Sequence, residues 1–393
     1  MTTEVLHNPI VLMRARLANA ISSIGLGAKL SKVAADSDRS YFKLLREIAI
    51  LRLGKGSLSF DEYVALRLFD KNLFMDADKK AFVGLKATRK IWGQANYRLD
   101  LFALVNNKLA SDILFSTHGF PILPTFAMFH ERVGRPCPFL LHSDAELRTF
   151  LTKSDHYPLF GKPINGYQSI GSESIDRYDP ARDRLITTVG REISLDTFIS
   201  YVKEHASSGY LFQHRVSPHT AVRDICGDRL ATVRLLTVVT KGETTLLRAC
   251  WKIPAGANVA DNFWRPGNLL AQLDLENGRV LRVLRRKGAA YDEITHHPDT
   301  GTRILGTVVP NWQEITQLAL DGAKLLEEIP LVGWDIAPIE SGAIMVEPNA
   351  TPDFNLHQLA DRRGILDASF RSFLVERRKH YADALRTARA MRG

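Results

Sequence analysis

The sequence predicts an α+β chain in which helical regions at both ends enclose a mixed middle built on antiparallel sheets. Three observations predict it. Before about Phe102 the apolar residues recur at three- and four-residue spacing, the period of a helix with one buried face. From Leu159 to Ile253 the apolar runs shorten to strand length and are bounded by Gly, Pro or charged turns. At the end, Phe370, Phe373, Leu374, Tyr381, Leu385 and Ala388 return to helical spacing with a basic outer face.

In order along the chain, helices are expected around Tyr41–Leu53, Phe60–Leu68 and Lys79–Trp92, with Ser59 and Glu62 as a capping box for the second. Gly119, Pro121 and Pro124 punctuate a helix-to-strand junction, and Ser143 with Glu146 offers another capping box. Strands are expected at Leu159–Lys162, Tyr210–His214, Ala231–Thr240 and Thr244–Ile253. An amphipathic helix from Trp312 to Ile329 stops at Pro330, and Val332–Asn349 reads as a hairpin. The implied boundaries are 1–100 for a helical accessory region, 101–155 for a linking subdomain, 156–220 and 221–360 for two α+β subdomains, and 361–393 for a basic amphipathic helix.

The 393 residues, 45% hydrophobic and 24% charged, fit a soluble globular protein of two or three lobes. Of the net charge of +9, the stretch from Asp361 to Gly393 supplies +5, with nine Lys/Arg against four Asp/Glu. The remainder is close to neutral and carries no zinc-finger or RNA-recognition signature, which argues against nucleic acid and leaves anionic small molecules or an anionic surface as partners. Cys137, Cys226 and Cys250 form neither a metal-ligand spacing nor a disulfide framework, as suits a reducing cytoplasm. Arg14 and Arg16 interrupt the first apolar runs, so no secretory signal is read there, and no run approaches a bilayer span. The last helix is expected to pack its apolar stripe on the body with Arg377, Arg378, Lys379, Arg386 and Arg389 wet, although such a helix can also lie on an anionic membrane.

The strongest chemical inference comes from GWDIAPIESGAIMVEPN. With Glu340, Ser341 and Gly342 as a three-residue turn, Ile339 pairs with Ala343 and Asp335 stands directly opposite Glu347. Strand side chains alternate, so Asn349 shares the face of Glu347. Uncompensated like charges across a sheet are unfavourable, whereas two carboxylates and an amide oxygen form a hard-oxygen half-shell for Mg²⁺. Without metal, one of the two acids is expected to show a raised pKa. The stretch GKPINGYQSIG adds a strand ending in Lys162 and a loop with Gly166, Ser169 and Gly171, whose backbone amides can approach phosphate oxygens. Its order is neither that of a Walker A loop nor that of a dinucleotide fold.

The order of Lys108 before a Gly-Phe-Pro junction, Lys162-Pro163 before a glycine loop, a strand with Gln213, and a hairpin with Asp335, Glu347 and Asn349 resembles the ATP-grasp superfamily from about Asn106 to Gln358. DNFWRPGNLLAQLD, GWDIAPIESG and EPNATPDFNLHQ resemble its sugar-transfer-associated family. The resemblance implies an ATP-grasp fold, two α+β subdomains sandwiching ATP. It also implies ATP and Mg²⁺, with up to two ions, as cofactors. Lys108 and Lys162 become phosphate lysines, and Phe212, Gln213, His214 and Val216 an adenine hinge. The ribose-binding acid usual after that hinge is missing from QHRVSPH, where His219 is the available side chain. Arg234, Lys252 and Arg265 are implied as catalytic cations, and Asn262, Asn268 and His357, with Gln358 beside it, as substrate-side residues.

The implied activity is that of an ATP-dependent ligase. It activates a small-molecule or saccharide-linked carboxylate through an acyl phosphate for attack by an amine or other nucleophile, in polysaccharide, cell-envelope or peptide-like metabolite assembly. An ATP-dependent phosphotransferase, or a non-catalytic ATP-binding partner of a sugar-transfer system, are the other readings.

Overall fold

The computed structural model describes residues 26–37, 39–123, 125–131, 140–165, 170–287 and 290–390. Helices are α1 (Leu26–Ser37), α2 (Tyr41–Leu53), α3 (Phe60–Ala65), α4 (Asp76–Lys79), α5 (Leu85–Ala95), α6 (Ala103–Asn106), α7 (Lys108–Thr117), α8 (Asp144–Leu151), α9 (Leu195–His205), α10 (Thr220–Cys226), α11 (Trp312–Leu325), α12 (Phe354–Asp361) and α13 (Ala368–Ala390). Strands are β1 (Thr125–Phe129), β2 (Leu140–Leu141), β3 (Leu159–Pro163), β4 (Glu173–Asp179), β5 (Arg184–Thr187), β6 (Glu192–Ser194), β7 (Tyr210–His214), β8 (Val233–Thr240), β9 (Glu243–Ile253), β10 (Leu269–Leu273), β11 (Val280–Lys287), β12 (Ala290–Glu293), β13 (Leu331–Ile339) and β14 (Gly342–Asn349).

The chain divides into two compact units. One holds the residues up to Tyr97, Arg286–Asp292 and Asp353 onward, and the other holds Arg98–Arg285 and Glu293–Pro352. In the first unit Leu44, Tyr63, Phe74 and Phe82 are buried, with the Phe74 and Phe82 rings edge-to-face. There α13 packs against α5, and its Phe370, Phe373 and Leu374 are buried, Phe370 against the Phe354 ring of α12. Arg378, Lys379, Arg386 and Arg389 are exposed, as the basic outer face requires. Arg377 departs from that expectation: its guanidinium lies 5.4 Å from the Tyr97 ring centroid, a cation–π contact, and it is half-buried.

The helix expected over Lys79–Trp92 is two helices, because the chain between them extends. Val83 sends its N–H to Gln358 Oε1 (2.8 Å) and accepts from Gln358 Nε2 (2.9 Å) instead of joining a helical ladder. Both expected capping boxes form, at Ser59/Glu62 and Ser143/Glu146.

The second unit contains two seven-stranded sheets, ordered β2-β1-β7-β3-β4-β5-β6 and β12-β11-β10-β9-β8-β13-β14. Only the β1–β2 pair is parallel among the strand pairs whose register is described. In the first sheet Phe129, Tyr210 and Phe212 join one core cluster with Phe150 of α8 and Phe198 of α9. In the second, alternation sends Val233, Leu235, Ala249, Trp251, Trp334 and Ile336 into a core shared with Ile315, Ala319 and Ala323 of α11. Residues between these, Arg234, Cys250, Lys252 and Asp335, therefore stand on the opposite face.

The β13–β14 hairpin corrects the expected turn. Ile339 pairs with Gly342, so the turn has two residues, Glu340 and Ser341, not three. A bulge then places one extra residue, Val346, on β14 opposite the step from Asp335 to Ile336. The two one-residue differences cancel, and Asp335 pairs with Glu347 as expected.

Candidate nucleotide and carboxylate site

The register builds a charged row across the second sheet. Arg234 of β8 pairs with Asp335 of β13, which pairs with Glu347 of β14, and on the other side Arg234 pairs with Cys250, two residues from Lys252 on β9. Arg234 grips Asp335 with two parallel hydrogen bonds, Nε to Oδ1 at 2.5 Å and Nη2 to Oδ2 at 2.7 Å, while Lys252 Nζ lies 3.0 Å from Oδ2. All three side chains are buried, so the ion cluster is held in a low-dielectric setting. Burial pushes the Asp335 carboxyl up, but the two cations outweigh it and hold it at about 2. The raised pKa expected for the facing acids is thus absent at Asp335, because Arg234 and Lys252 supply the counter-charge.

Two lysines approach this row from the other elements. Asn107 caps α7 by accepting from the Ala110 N–H at 3.1 Å, which sets Lys108 in the first turn. Lys108 Nζ lies 3.8 Å from Glu347 Oε2 and 3.5 Å from the Ile164 carbonyl. Burial drives its pKa down; Glu347 opposes that shift and the neighbouring Lys162 reinforces it. Lys162, on β3, is buried as well. Together with Leu123, Phe160, Val216, Asp261 and Asp335, both lysines line a cleft of ≈ 950 Å³, counting space open to solvent. Two lysines brought to one cleft can receive a polyanion, with Glu347 the acid 3.8 Å from Lys108.

His214 and Val216 line the same cleft where the chain leaves β7. Phe212 and Gln213 do not border it. Phe212 lies in the hydrophobic core, and Gln213 donates to the Leu123 carbonyl at 2.7 Å with Asp112 Oδ2 and Thr125 Oγ1 also within reach. Gly171 has a positive φ of 80°, and an added Cβ would meet His205 and Pro163 at 2.7 Å, so the position requires glycine for packing as well as conformation. Gly166 and Ser169 lie outside the described residues.

The substrate-side expectations separate. Asn268 is fully buried and its amide is spent on its own loop: Oδ1 accepts from Ala255 N–H, and Nδ2 donates to the Ala260 and Asn262 carbonyls. Its role is to hold the loop. Asn262 Oδ1 accepts from the Trp264 N–H at 3.1 Å, and neither Asn262 nor Arg265 borders the cleft. His357 and Gln358 belong to the other compact unit and are buried in α12, with Gln358 fastening Val83. His219 caps α10 through Nδ1 and does not border the cleft.

Sequence reasoning missed Asp261. Its carboxylate accepts from Thr232 N–H (2.7 Å) and hydroxyl (2.5 Å) and lies 3.4 Å from Lys252 Nζ. Burial raises its pKa, against the pull of Lys252. A lone acid in an irregular loop has no periodic signature. Asp228 and Arg215, which also line the cleft, were missed for the same reason.

Among the described residues no three His, Cys, Asp or Glu side chains group to hold a metal. The third oxygen donor is an amide. Asn349 Nδ2 is buried without a hydrogen-bond partner, and exchanging the amide ends would point its oxygen there instead. Glu347 is one-third exposed, with its nearest cation at 3.8 Å. The donor chemistry of Glu347 and Asn349 fits a hard divalent cation, whereas both Asp335 oxygens are engaged by Arg234 and Lys252.

The chain belongs to the sugar-transfer associated ATP-grasp family, whose profile matches residues 88–371. No curated protein matches. Similar solved structures include the VanG D-Ala:D-Ser ligase from Enterococcus faecalis, at 14% identity over 71% of this chain and 62% of that one with a TM-score of 0.41. The D-alanine-D-alanine ligase from Coxiella burnetii is 11% identical over 73% of this chain and 61% of that one, with a TM-score of 0.42. The chain thus spans less than two-thirds of the length of either.

Proposed function

We propose that this chain is an ATP-dependent ligase that activates a carboxylate as an acyl phosphate for attack by an amine or another nucleophile. The observation that carries the proposal is the meeting, in one cleft, of Lys108 and Lys162 with Lys252, Asp335 and Glu347, while Arg234, which grips Asp335, does not itself border the cleft. The lysines receive the nucleotide phosphates. A substrate carboxylate oxygen attacks the γ-phosphorus, and the bond to the β–γ bridging oxygen breaks with its electrons leaving on ADP. The nucleophile then attacks the acyl carbon, inorganic phosphate departs, and the nucleophile loses its proton. Lys162, Lys108 and Lys252 neutralise charge on the transferring group, an effect worth a few kcal/mol per preorganised contact. Glu347, Asn349 and Asp335 would hold Mg²⁺, which supplies further neutralisation of the phosphate oxygens. The cleft walls Leu123, Phe160 and Val216 form the apolar enclosure an adenine ring requires. The family's description supports a saccharide-linked carboxylate as the acid and a role in polysaccharide or envelope assembly.

The test is ADP release against pooled acids and amines, followed by the productive acid labelled with ¹⁸O in its carboxylate. Transfer of one label to inorganic phosphate, together with a joined product, is expected. A stable phosphorylated product without joining would overturn the ligase in favour of a phosphotransferase, and no ADP with any pool would favour a non-catalytic role.

A further inference from the structure

Outside the cleft, α2 presents an unusual surface. Its inner side is conventional: Leu44 and Leu51 are buried, and Glu47 accepts from Arg39 (2.7 Å), the Tyr63 hydroxyl (2.7 Å) and Lys79 (3.1 Å). Its outer side is apolar too. Phe42 is 76% exposed, Leu45 53% and Leu53 87%, and with Ala49 they fall within about 80° of arc at 100° per residue. Arg52 borders this stripe on one edge and Arg46 on the other, with Lys43 and Lys55 nearby, all exposed. Neither Arg46 nor Arg52 has an acidic partner among the described residues. The helix's only acid is turned inward and neutralised, so the outer face offers apolar groups and positive charge alone.

We propose that the outward face of α2 docks on an anionic lipid surface. A stripe of Phe and Leu flanked on both edges by arginine is the chemistry of an interfacial helix: the apolar groups enter the headgroup boundary and the cations remain among the lipid phosphates. The other occupants fit less well. A second copy would set the same arginines against each other. Residues 1–25 carry Glu4 against Arg14 and Arg16 and so bring no net negative charge to meet four bases. No helix among the described residues is long and apolar enough to cross a membrane, so the attachment is peripheral. This surface is separate from the nucleotide reading and can fail without it.

The experiment is flotation of the full chain with phosphatidylcholine vesicles, with and without phosphatidylglycerol. Binding only to the anionic vesicles, reversed by salt, is expected. Arg46→Glu with Arg52→Glu should lower partitioning by on the order of tenfold or more, and Phe42→Ser with Leu53→Ser should lower it by on the order of tenfold. Far-ultraviolet circular dichroism and thermal melts verify folding of each variant. Arg386→Glu with Arg389→Glu, on the exposed side of α13, should leave binding unchanged. Failure to bind either vesicle, equal binding to both, loss only in the α13 variant, or a dimer that the Phe42/Leu53 variant dissociates would each overturn the proposal.

Discussion

Replacing Asp335 by Asn should destabilise the nucleotide-free protein far more than replacing Glu347 by Gln, although the two acids face each other. A carboxyl that falls from 3.8 to about 2 on folding contributes roughly 2 kcal/mol at neutral pH, at ~1.4 kcal/mol per tenfold change. Because the folded value is the lower one, this contribution is complete above about pH 4 and is lost as pH falls towards 2. Substitution by Asn also strands Arg234 as a buried cation and leaves Lys252 with Asp261 alone, 3.4 Å away, and breaking a buried pair from one side costs about 3–5 kcal/mol in total. At about 2 °C per kcal/mol for a body of this size, the melting midpoint should fall by ~6–10 °C. Glu347, one-third exposed and 3.8 Å from its nearest cation, should change stability by less than ~1 kcal/mol when replaced by Gln. Differential scanning calorimetry without nucleotide measures both. Adding Arg234→Met to Asp335→Asn should recover part of the loss, since the stranded charge goes with it. An Asp335→Asn midpoint within about 2 °C of the parent would refute the reasoning, because the buried ion cluster would then carry no energy.

Three further outcomes follow from the same geometry. Lys162→Ala should weaken Mg-ATP binding by roughly 10- to 100-fold in calorimetric titration while leaving the melt intact, since a charged contact to phosphate is worth ~1.5–3 kcal/mol. Lys108, whose pKa burial depresses in the free protein, should regain its ordinary range when phosphate charge arrives. ATP binding at alkaline pH should therefore take up a proton, and affinity should fall as pH rises; heats measured in buffers of different ionisation enthalpy check the sign. Asn268→Ala should release the Ala255 N–H and two loop carbonyls, costing ~1–3 kcal/mol, and should speed proteolytic nicking between Ala255 and Asn268.

Much of this site follows from strand alternation alone. The facing of Asp335 and Glu347 was legible because a single register fixes every pair along a hairpin, and it survived a wrong turn length only because the bulge at Val346 restored the count. The cations beside Asp335 were less legible. Arg234 and Lys252 stood out as strand charges, yet their convergence on Asp335 depends on which strands are neighbours, and that order is not written in local sequence. Strands β4 to β6, with ESIDRYD, RLIT and EIS, escaped notice because they mix charged and apolar residues without clean alternation, although only β6 is an edge strand. Asn268 was implied as a substrate-side residue by the family resemblance, yet its amide clamps loop carbonyls. Gln358 likewise stood beside the β13–β14 hairpin in sequence but fastens the backbone of Val83.

The central claim is that the lysines and the acid row receive one nucleotide and its metal. Its most direct test is a crystal structure of the full chain with a non-hydrolysable ATP analogue and Mn²⁺, the metal located by its anomalous signal. The account predicts phosphates against Lys108 and Lys162, adenine beside His214–Val216, and Mn²⁺ directly coordinated by Glu347, with Asn349 or Asp335 completing the protein share. Nucleotide bound elsewhere, or metal density away from Glu347 with the Arg234–Asp335 pair undisturbed, would contradict it.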